Sequence, residues 1–249
     1  MRVDQVCIGT SGWQYRDWRG VLYPPEVPQK SWLEWYAGHF PIVEVDATFY
    51  RLPERTVFEN WGARTPEDFR FVIKASRYLT HIKRLREPDE PVHRLVDRAR
   101  GLGPKLAAVL LQLPPTMRAA PHLLDQTLAA FGDVPVAVEP RHETWWSDQV
   151  SSILRAHRAA TVWADRKNSL FGPPWLTSNW GYVRFHEGRA TPWPRYGHHA
   201  LRSWATRLSD AAPQWTNCLV FFNNDPGGAA VKDARYLKRQ LSTGPRKGD

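Results

Sequence analysis

The chain has 249 residues, 42% of them hydrophobic and 24% charged, a balance that excludes a disordered polypeptide and suits one barrel-sized domain. A formal net charge of +9 favours polyanionic partners such as nucleic acid, nucleotides or phosphorylated metabolites. No apolar stretch approaches the ~20 residues that cross a bilayer, and Met1-Arg2-Val3-Asp4 lacks a signal-peptide core, so the expectation is a cytoplasmic protein with no membrane partner.

In chain order, apolar runs that end in polar residues alternate with helical patterns. A first strand at 6–9 precedes Ser31-Trp32-Leu33-Glu34, which has capping-box form. A strand at 43–48 is followed by the stripe Val57, Phe58 and Trp61, and a strand at 71–74 by Val92, Leu95, Val96, Ala99 and Leu102, ended by Gly103-Pro104. Strands at 109–112 and 136–139 lead to helices carrying Leu124, Leu128 and Phe131, then Val150, Ile153 and Leu154. A strand at 162–165 opens onto an irregular stretch, 166–181, and a strand at 182–186 onto another, 187–199. Leu201, Trp204, Ala205 and Leu208 form the next helical stripe, and a strand at 220–225 precedes a last helix.

Eight strands buried on both faces and alternating with helices predict an α/β protein with a (β/α)8, TIM-barrel-like fold. The barrel is expected to occupy 1–243 as a single domain, with irregular βα segments late in it and a short basic tail at 244–249. An open doubly wound sheet fits less well, because no Gly-x-Gly-x-x-Gly turn follows the first strand. Cys7 and Cys218 fall on the first and last strands, which close against each other in a barrel, and read as core residues. Trp32, Trp35, Trp61 and Trp204 sit at helical spacing and read as core. Trp13, Trp18, Trp145, Trp146, Trp175, Trp180 and Trp193 fall in loops, where they either stack on ligands or pack beneath the chain.

In such a barrel, chemistry collects where the strands end. The strand ends place Glu44, Asp46, Glu139 and Asp165 opposite Lys74, Arg141 and Arg184. Glu139, closing an otherwise apolar strand, is the leading general acid/base, with His186 as a proton shuttle and Asp46 and Asp165 beside them. Lys74, Arg141 and Arg184 would bind an anion with His81, which lies in the donor-rich run Thr80-His81-Ile82-Lys83-Arg84. Asn223-Asn224-Asp225-Pro226-Gly227-Gly228 offers backbone amides to a phosphate, and equally reads as an ordinary turn. A zinc site wants several histidines or cysteines; the strand ends offer His186 and no Cys-x-x-Cys, so neither metal nor cofactor is expected. A hard cation on Asp46, Glu139 and Asp165 is the alternative. No Gly-x-Ser-x-Gly elbow supports Ser11 as a nucleophile.

Several of these segments resemble one family. Ile8-Gly9-Thr10-Ser11-Gly12-Trp13, Glu44-Val45-Asp46-Ala47-Thr48-Phe49-Tyr50-Arg51, Lys74-Ala75 with Thr80-His81, and Leu111-Gln112-Leu113-Pro114-Pro115 are similar to the YecE-like family. So are Val138-Glu139-Pro140-Arg141-His142 with Trp145, Tyr182-Val183-Arg184-Phe185-His186, and Phe222-Asn223-Asn224-Asp225. The resemblance runs from the first strand to the last helix and implies a TIM-barrel-type domain of unknown function, with no established reaction. Within its motifs Gln112, Trp13, Tyr50, Trp145, Asn223 and Asn224 join the substrate-binding candidates. Asp46 stands where the family usually has asparagine, and Glu187 where it has glycine.

The functional expectation is a hydrolase acting on an anionic sugar-, nucleotide- or nucleic-acid-containing substrate at the C-terminal face of the barrel. The alternatives are a non-catalytic nucleic-acid-binding protein and a neutral-carbohydrate glycoside hydrolase.

Overall fold

A computed structural model describes residues 5–243 of the chain. The proposed tail at 244–249 lies outside the described residues. Eight parallel strands close into a barrel: β1 (Val6–Ser11), β2 (Ile42–Val45), β3 (Arg70–Lys74), β4 (Leu106–Gln112), β5 (Val136–Glu139), β6 (Ala160–Arg166), β8 (Trp180–Glu187) and β9 (Asn217–Phe222). The β1–β9 and β5–β6 pairings complete the ring. Helices α1 (Trp32–Ala37), α2 (Ala47–Tyr50), α3 (Arg55–Ala63), α4 (Asp89–Ala99), α5 (Pro121–Phe131), α6 (Asp148–Ala156), α7 (His198–Ala211) and α8 (Ala229–Thr243) surround it. Among the described residues, no helix is long and apolar enough to cross a membrane.

The period-2 geometry of each strand sorts its side chains between two cores. Ile42, Val72, Leu110, Ala137, Val162, Tyr182 and Phe221 fill the barrel interior. Their chain neighbours, among them Val43, Phe71, Val183 and Phe222, pack outward against the helices. The same alternation, continued to the strand ends, decides which polar groups reach the mouth.

Three local expectations differ from the structure. β2 ends at Val45, so Asp46 and Thr48 belong to the turn and to α2, where the Thr48 hydroxyl is used up on the carbonyls of Val45 and Lys74. Ser31 precedes α1 but caps nothing with its side chain. The irregular stretch after β6 begins as a hairpin: β7 (Ser169–Phe171) returns antiparallel to β6. Lys167 and Asn168 make its two-residue turn at φ 56° and 62°, the left-handed pair a tight hairpin requires.

Cys7 and Cys218 lie on adjacent strands as free thiols, and burial pushes both up, away from thiolate reactivity. At Gly9 the β1 backbone approaches β2 so closely that an added Cβ would stand 2.1 Å from the Ile42 carbonyl oxygen. Gly9→Ala should therefore cost more than about 2 kcal/mol in denaturant unfolding. An unchanged midpoint would show that the two strands can part there at little cost.

Candidate functional site

At the C-terminal mouth of the barrel, Arg184 of β8 is fully buried between two fully buried carboxyl groups. Its Nη2 and Nε donate to Glu44 Oε1 at 2.6 and 3.1 Å, and its Nη1 donates to Glu139 Oε2 at 2.7 Å. Glu44 also accepts from the Ser11 hydroxyl at 2.6 Å and from the Tyr182 hydroxyl. Gln112 Oε1 lies 3.4 Å from Arg184 Nη1, so Gln112 serves the arginine. Asp46 Oδ2 lies 3.5 Å from Nη2. One guanidinium thus ties β2, β4, β5 and β8 together at the level where the interior turns from apolar to polar.

The second oxygen of Glu139 is equally occupied. Oε1 is ion-paired with Arg141 Nη2 at 2.6 Å and lies 2.8 Å from His186 Nε2. Burial pushes the Glu139 carboxyl up, but Arg184, Arg141 and His186 outweigh it and hold the group well below the usual carboxylate range. A carboxylate with both oxygens bound by cations is a poor proton carrier near neutrality, and the expected acid/base role does not fit this geometry. Burial also lowers His186, against the pull of Glu139. Asn223 Nδ2 stands 3.4 Å from His186 Nδ1 and Arg141 Nη2 stands 3.0 Å from His186 Nε2, so the ring is held between Asn223, Arg141 and Glu139.

Three polar atoms at this mouth are buried without a hydrogen-bond partner: Asp46 Oδ1, Arg141 Nε and Asp225 Oδ1. Asp46 Oδ1 lies 3.3 Å from Lys74 Nζ, but not in hydrogen-bonding geometry. Asp225, just past β9, is held through its main chain, its carbonyl accepting from Trp18 Nε1 at 3.0 Å and from Gly228 N at 3.1 Å. Tyr15 lies beside it but donates its hydroxyl to the Ser11 carbonyl at 2.6 Å. Burial pushes the Asp225 carboxyl up to about 8, with Asp46 and Glu44 adding to the rise and Tyr15 and Arg184 opposing it. Asp225 thus titrates far above an ordinary aspartate, and burial favours its protonated form. The sequence marked it only as part of a turn.

On the β3 side of the mouth the field is positive. His81 stands in a single π-helical turn, Tyr78–Ile82. Burial lowers its ionisation, and Lys74, Arg77, Arg141 and Arg84 lower it further. Its Nδ1 meets the Thr80 hydroxyl at 2.9 Å and its ring packs edge-on against Phe49. Lys74 Nζ lies 4.9 Å from the centroid of the Phe49 ring.

Other expected site residues lie elsewhere. Asp165 has the parity of Trp163, so it points into the helix layer, where its carboxylate accepts from Trp204 Nε1 at 2.9 Å and Asn168 N at 3.1 Å. Trp13 is buried against Trp61, and Trp145 is fully buried with its Nε1 on the Met117 carbonyl. Asn224 is buried and donates to Pro194 O and Asp233 Oδ2, both at 2.9 Å. The glycine turn after it has no free amides to offer a phosphate: Gly227 N donates to Asp17 Oδ2 and Gly228 N to Asp225 O. Tyr50 stands at the rim, exposed. Among the described residues, no three His, Cys, Asp or Glu side chains are grouped to hold a metal ion.

The architecture and its motifs recur in known proteins. The model of the family described as "Protein of unknown function DUF72" matches residues 7–248. The UPF0759 protein YunF of Bacillus subtilis (strain 168) is 29% identical over 269 residues, covering 95% of this chain and 94% of its own. The UPF0759 protein YecE of Escherichia coli (strain K12) is 35% identical over 144 residues, 57% of this chain and 50% of its own. The crystal structure of a DUF72 family protein, TM1631 from Thermotoga maritima MSB8, superposes with a TM-score of 0.85 at 28% identity, covering 96% of this chain and 99% of that one.

Two stability measurements test this geometry. Arg184→Met should cost about 3–5 kcal/mol in urea unfolding, because Glu44 and Glu139 lose their shared buried cation; a loss within 0.5 kcal/mol, roughly the range of a neutral surface change, would refute the arrangement. The folded Asp225 carboxyl has a higher pKa than the unfolded one, so between about pH 4 and 8 the folded chain holds a proton that the unfolded chain has released, and this group lowers stability as pH rises. Asp225→Asn should accordingly raise the melting temperature at pH 8 and leave it little changed at pH 4. A pH-independent difference would place Asp225 in an ordinary solvated setting.

Proposed function

The chain belongs to the DUF72 family of proteins of unknown function, and we propose that it is a hydrolase for an anionic sugar- or nucleotide-containing substrate, acting at the C-terminal mouth of the barrel. The observation that carries this reading is the set of unpartnered buried atoms. Of four such side-chain atoms among the described residues, three converge on the mouth as an acceptor, a donor and a carboxyl whose protonated form burial favours: Asp46 Oδ1, Arg141 Nε and Asp225 Oδ1. Buried polar groups left unsatisfied cost about 1–3 kcal/mol each, so a site that keeps three together is built for something that completes them.

In this reading Lys74 and Arg141 hold the anionic group, with neutral His81 beside them as a hydrogen-bonding wall. Asp225 gives its proton to the departing oxygen or nitrogen. Asp46 takes a proton from the attacking water, whose oxygen bonds to the centre being released, and exchange with solvent restores both carboxyls. Glu139 and His186 are positioning residues that fix the Arg141 guanidinium.

Ligand-induced shifts in melting temperature separate this reading from a neutral-carbohydrate hydrolase. Ribose 5-phosphate or a nucleoside monophosphate should stabilise the protein, ribose or the free nucleoside should not, and Arg141→Ala should abolish the effect. Equal stabilisation by the neutral compounds would overturn the proposal. With a hydrolysed substrate in hand, kcat/KM should fall as pH rises through about 8 and Asp225→Asn should lose at least about 100-fold in kcat. Full turnover by that variant would remove Asp225 from the chemistry.

A further inference from the structure

We infer that the rim of the mouth between β2 and α4 is a stacking and phosphate-gripping surface for single-stranded nucleic acid, formed by Tyr50, Tyr78 and Ile82 with Arg51, Arg77 and Arg84. This inference rests on the proposed function for what it says of substrate, because it makes the nucleotide in the mouth part of a strand lying across the rim.

The apolar side chains come first. Tyr50 is 81% exposed, Ile82 63% and Tyr78 40%, in a protein that buries most of its aromatic rings. They are continuous with the site: Tyr50 meets Phe49 edge-on at 5.1 Å, and Phe49 meets His81 at 4.9 Å. Tyr78 and Ile82 begin and end the π-helical turn that holds His81. Lys83 Nζ and Arg94 Cζ lie 5.7 and 6.0 Å from the centroid of the Tyr78 ring, so Tyr50 presents the more open plane, and an open tyrosine plane at a ligand mouth is a platform on which bases stack whatever their sequence.

The charge is arranged to match. On this face Glu87 is engaged by Lys83, Glu90 by Arg94 and Glu54 by Arg98, while Asp89 stands exposed. Arg51, Arg77, Arg84 and Arg86 have no carboxylate partner among the described residues, and Arg84 reaches only Thr116. The field these groups create is felt at His81, whose ionisation Arg77 and Arg84 oppose. A phosphodiester chain supplies both requirements of such a surface, one negative charge and one planar base per unit. An acidic peptide supplies the charge without a regular series of planes.

The segment is also held rigidly enough to present these groups. Leu79 and Leu85 are buried beneath it, Leu85 N donates to the Leu79 carbonyl at 3.0 Å, and the Thr80 hydroxyl donates to the Ser76 carbonyl. Arg84, Leu85 and Glu87 are in the left-handed region, with φ of 51°, 66° and 46°. Non-glycine residues pay for that conformation, and it persists where packing enforces it. Arg77, Tyr78 and Ile82 are exposed on this segment.

Fluorescence anisotropy with two labelled probes tests the inference: a thymidine oligonucleotide of about ten nucleotides, and an abasic phosphodiester of the same length and charge. The full chain should bind the base-bearing probe about tenfold more tightly. Tyr50→Ala should erase that difference, while Arg77→Ala should weaken both probes and reduce the slope of log affinity against log salt by about 0.7. Circular dichroism checks that these surface variants stay folded. Equal affinity for the two probes, no binding of either at low salt, or tighter binding of a poly-aspartate peptide of matched charge would each overturn the inference. Its failure is distinguishable from failure of the proposed function: stabilisation by nucleoside monophosphate through Arg141 would survive loss of the rim. Rim binding without that stabilisation would leave a nucleic-acid-binding barrel with no chemistry.

Discussion

The buried guanidinium of Arg184 is the constraint on which the rest of the mouth depends. A cation removed from water must be matched by carboxylates in good geometry or it destabilises the fold by several kcal/mol. Here Glu44 and Glu139 grip it from opposite sides of the ring, and Ser11, Tyr182, Gln112, Arg141 and His186 complete the remaining valences. Ser11, Glu44, Gln112, Glu139 and His186 stand at or next to strand ends, so the network fastens the barrel at the level where its apolar filling stops. The register of the strands and the orientation of the mouth are set by the same few hydrogen bonds.

That arrangement also decides which groups remain free. Glu139 is spent on holding charge. The atoms without partners are on Asp46, Arg141 and Asp225, and are themselves buried. Their environments differ in a useful way: Asp46 faces Lys74 and Arg184, whereas Asp225 is buried beside other carboxyls, and burial favours its protonated form. In the proposed reading the polar floor is the scaffold for the chemistry, and Lys74, Arg77, Arg141 and Arg84 give the β3 side of the mouth a positive field.

Much of the barrel was legible in the chain. Each β-type run was found because burial on both faces leaves an unbroken apolar signature, and the polar residue ending it marked the mouth. Parity then placed Glu44, Lys74, Glu139 and Arg184 inward as expected. It would also have placed Asp165 outward with Trp163, had the Val162–Ala164 alternation been carried one residue further. Trp13, Trp145 and Asn224 look the same in sequence whether they bind a ligand or pack beneath a loop, because the difference lies in what covers them. The β6–β7 hairpin was hidden because Lys167-Asn168 lacks the glycine that usually announces such a turn. Asp225 escaped for a different reason. Its proton affinity comes first from burial and then from Asp46 and Glu44, which lie far away along the chain, and no local spacing records that encounter.

The central claim is that the proton available for chemistry sits on Asp225 and not on Glu139. Carbon-detected NMR of the side-chain carboxyls, followed from pH 4 to pH 9, measures this directly. The account predicts that the Asp225 signal titrates near pH 8 while Glu139 stays ionised across the whole range. An Asp225 midpoint near 4, or a Glu139 signal that titrates near neutrality, would contradict it.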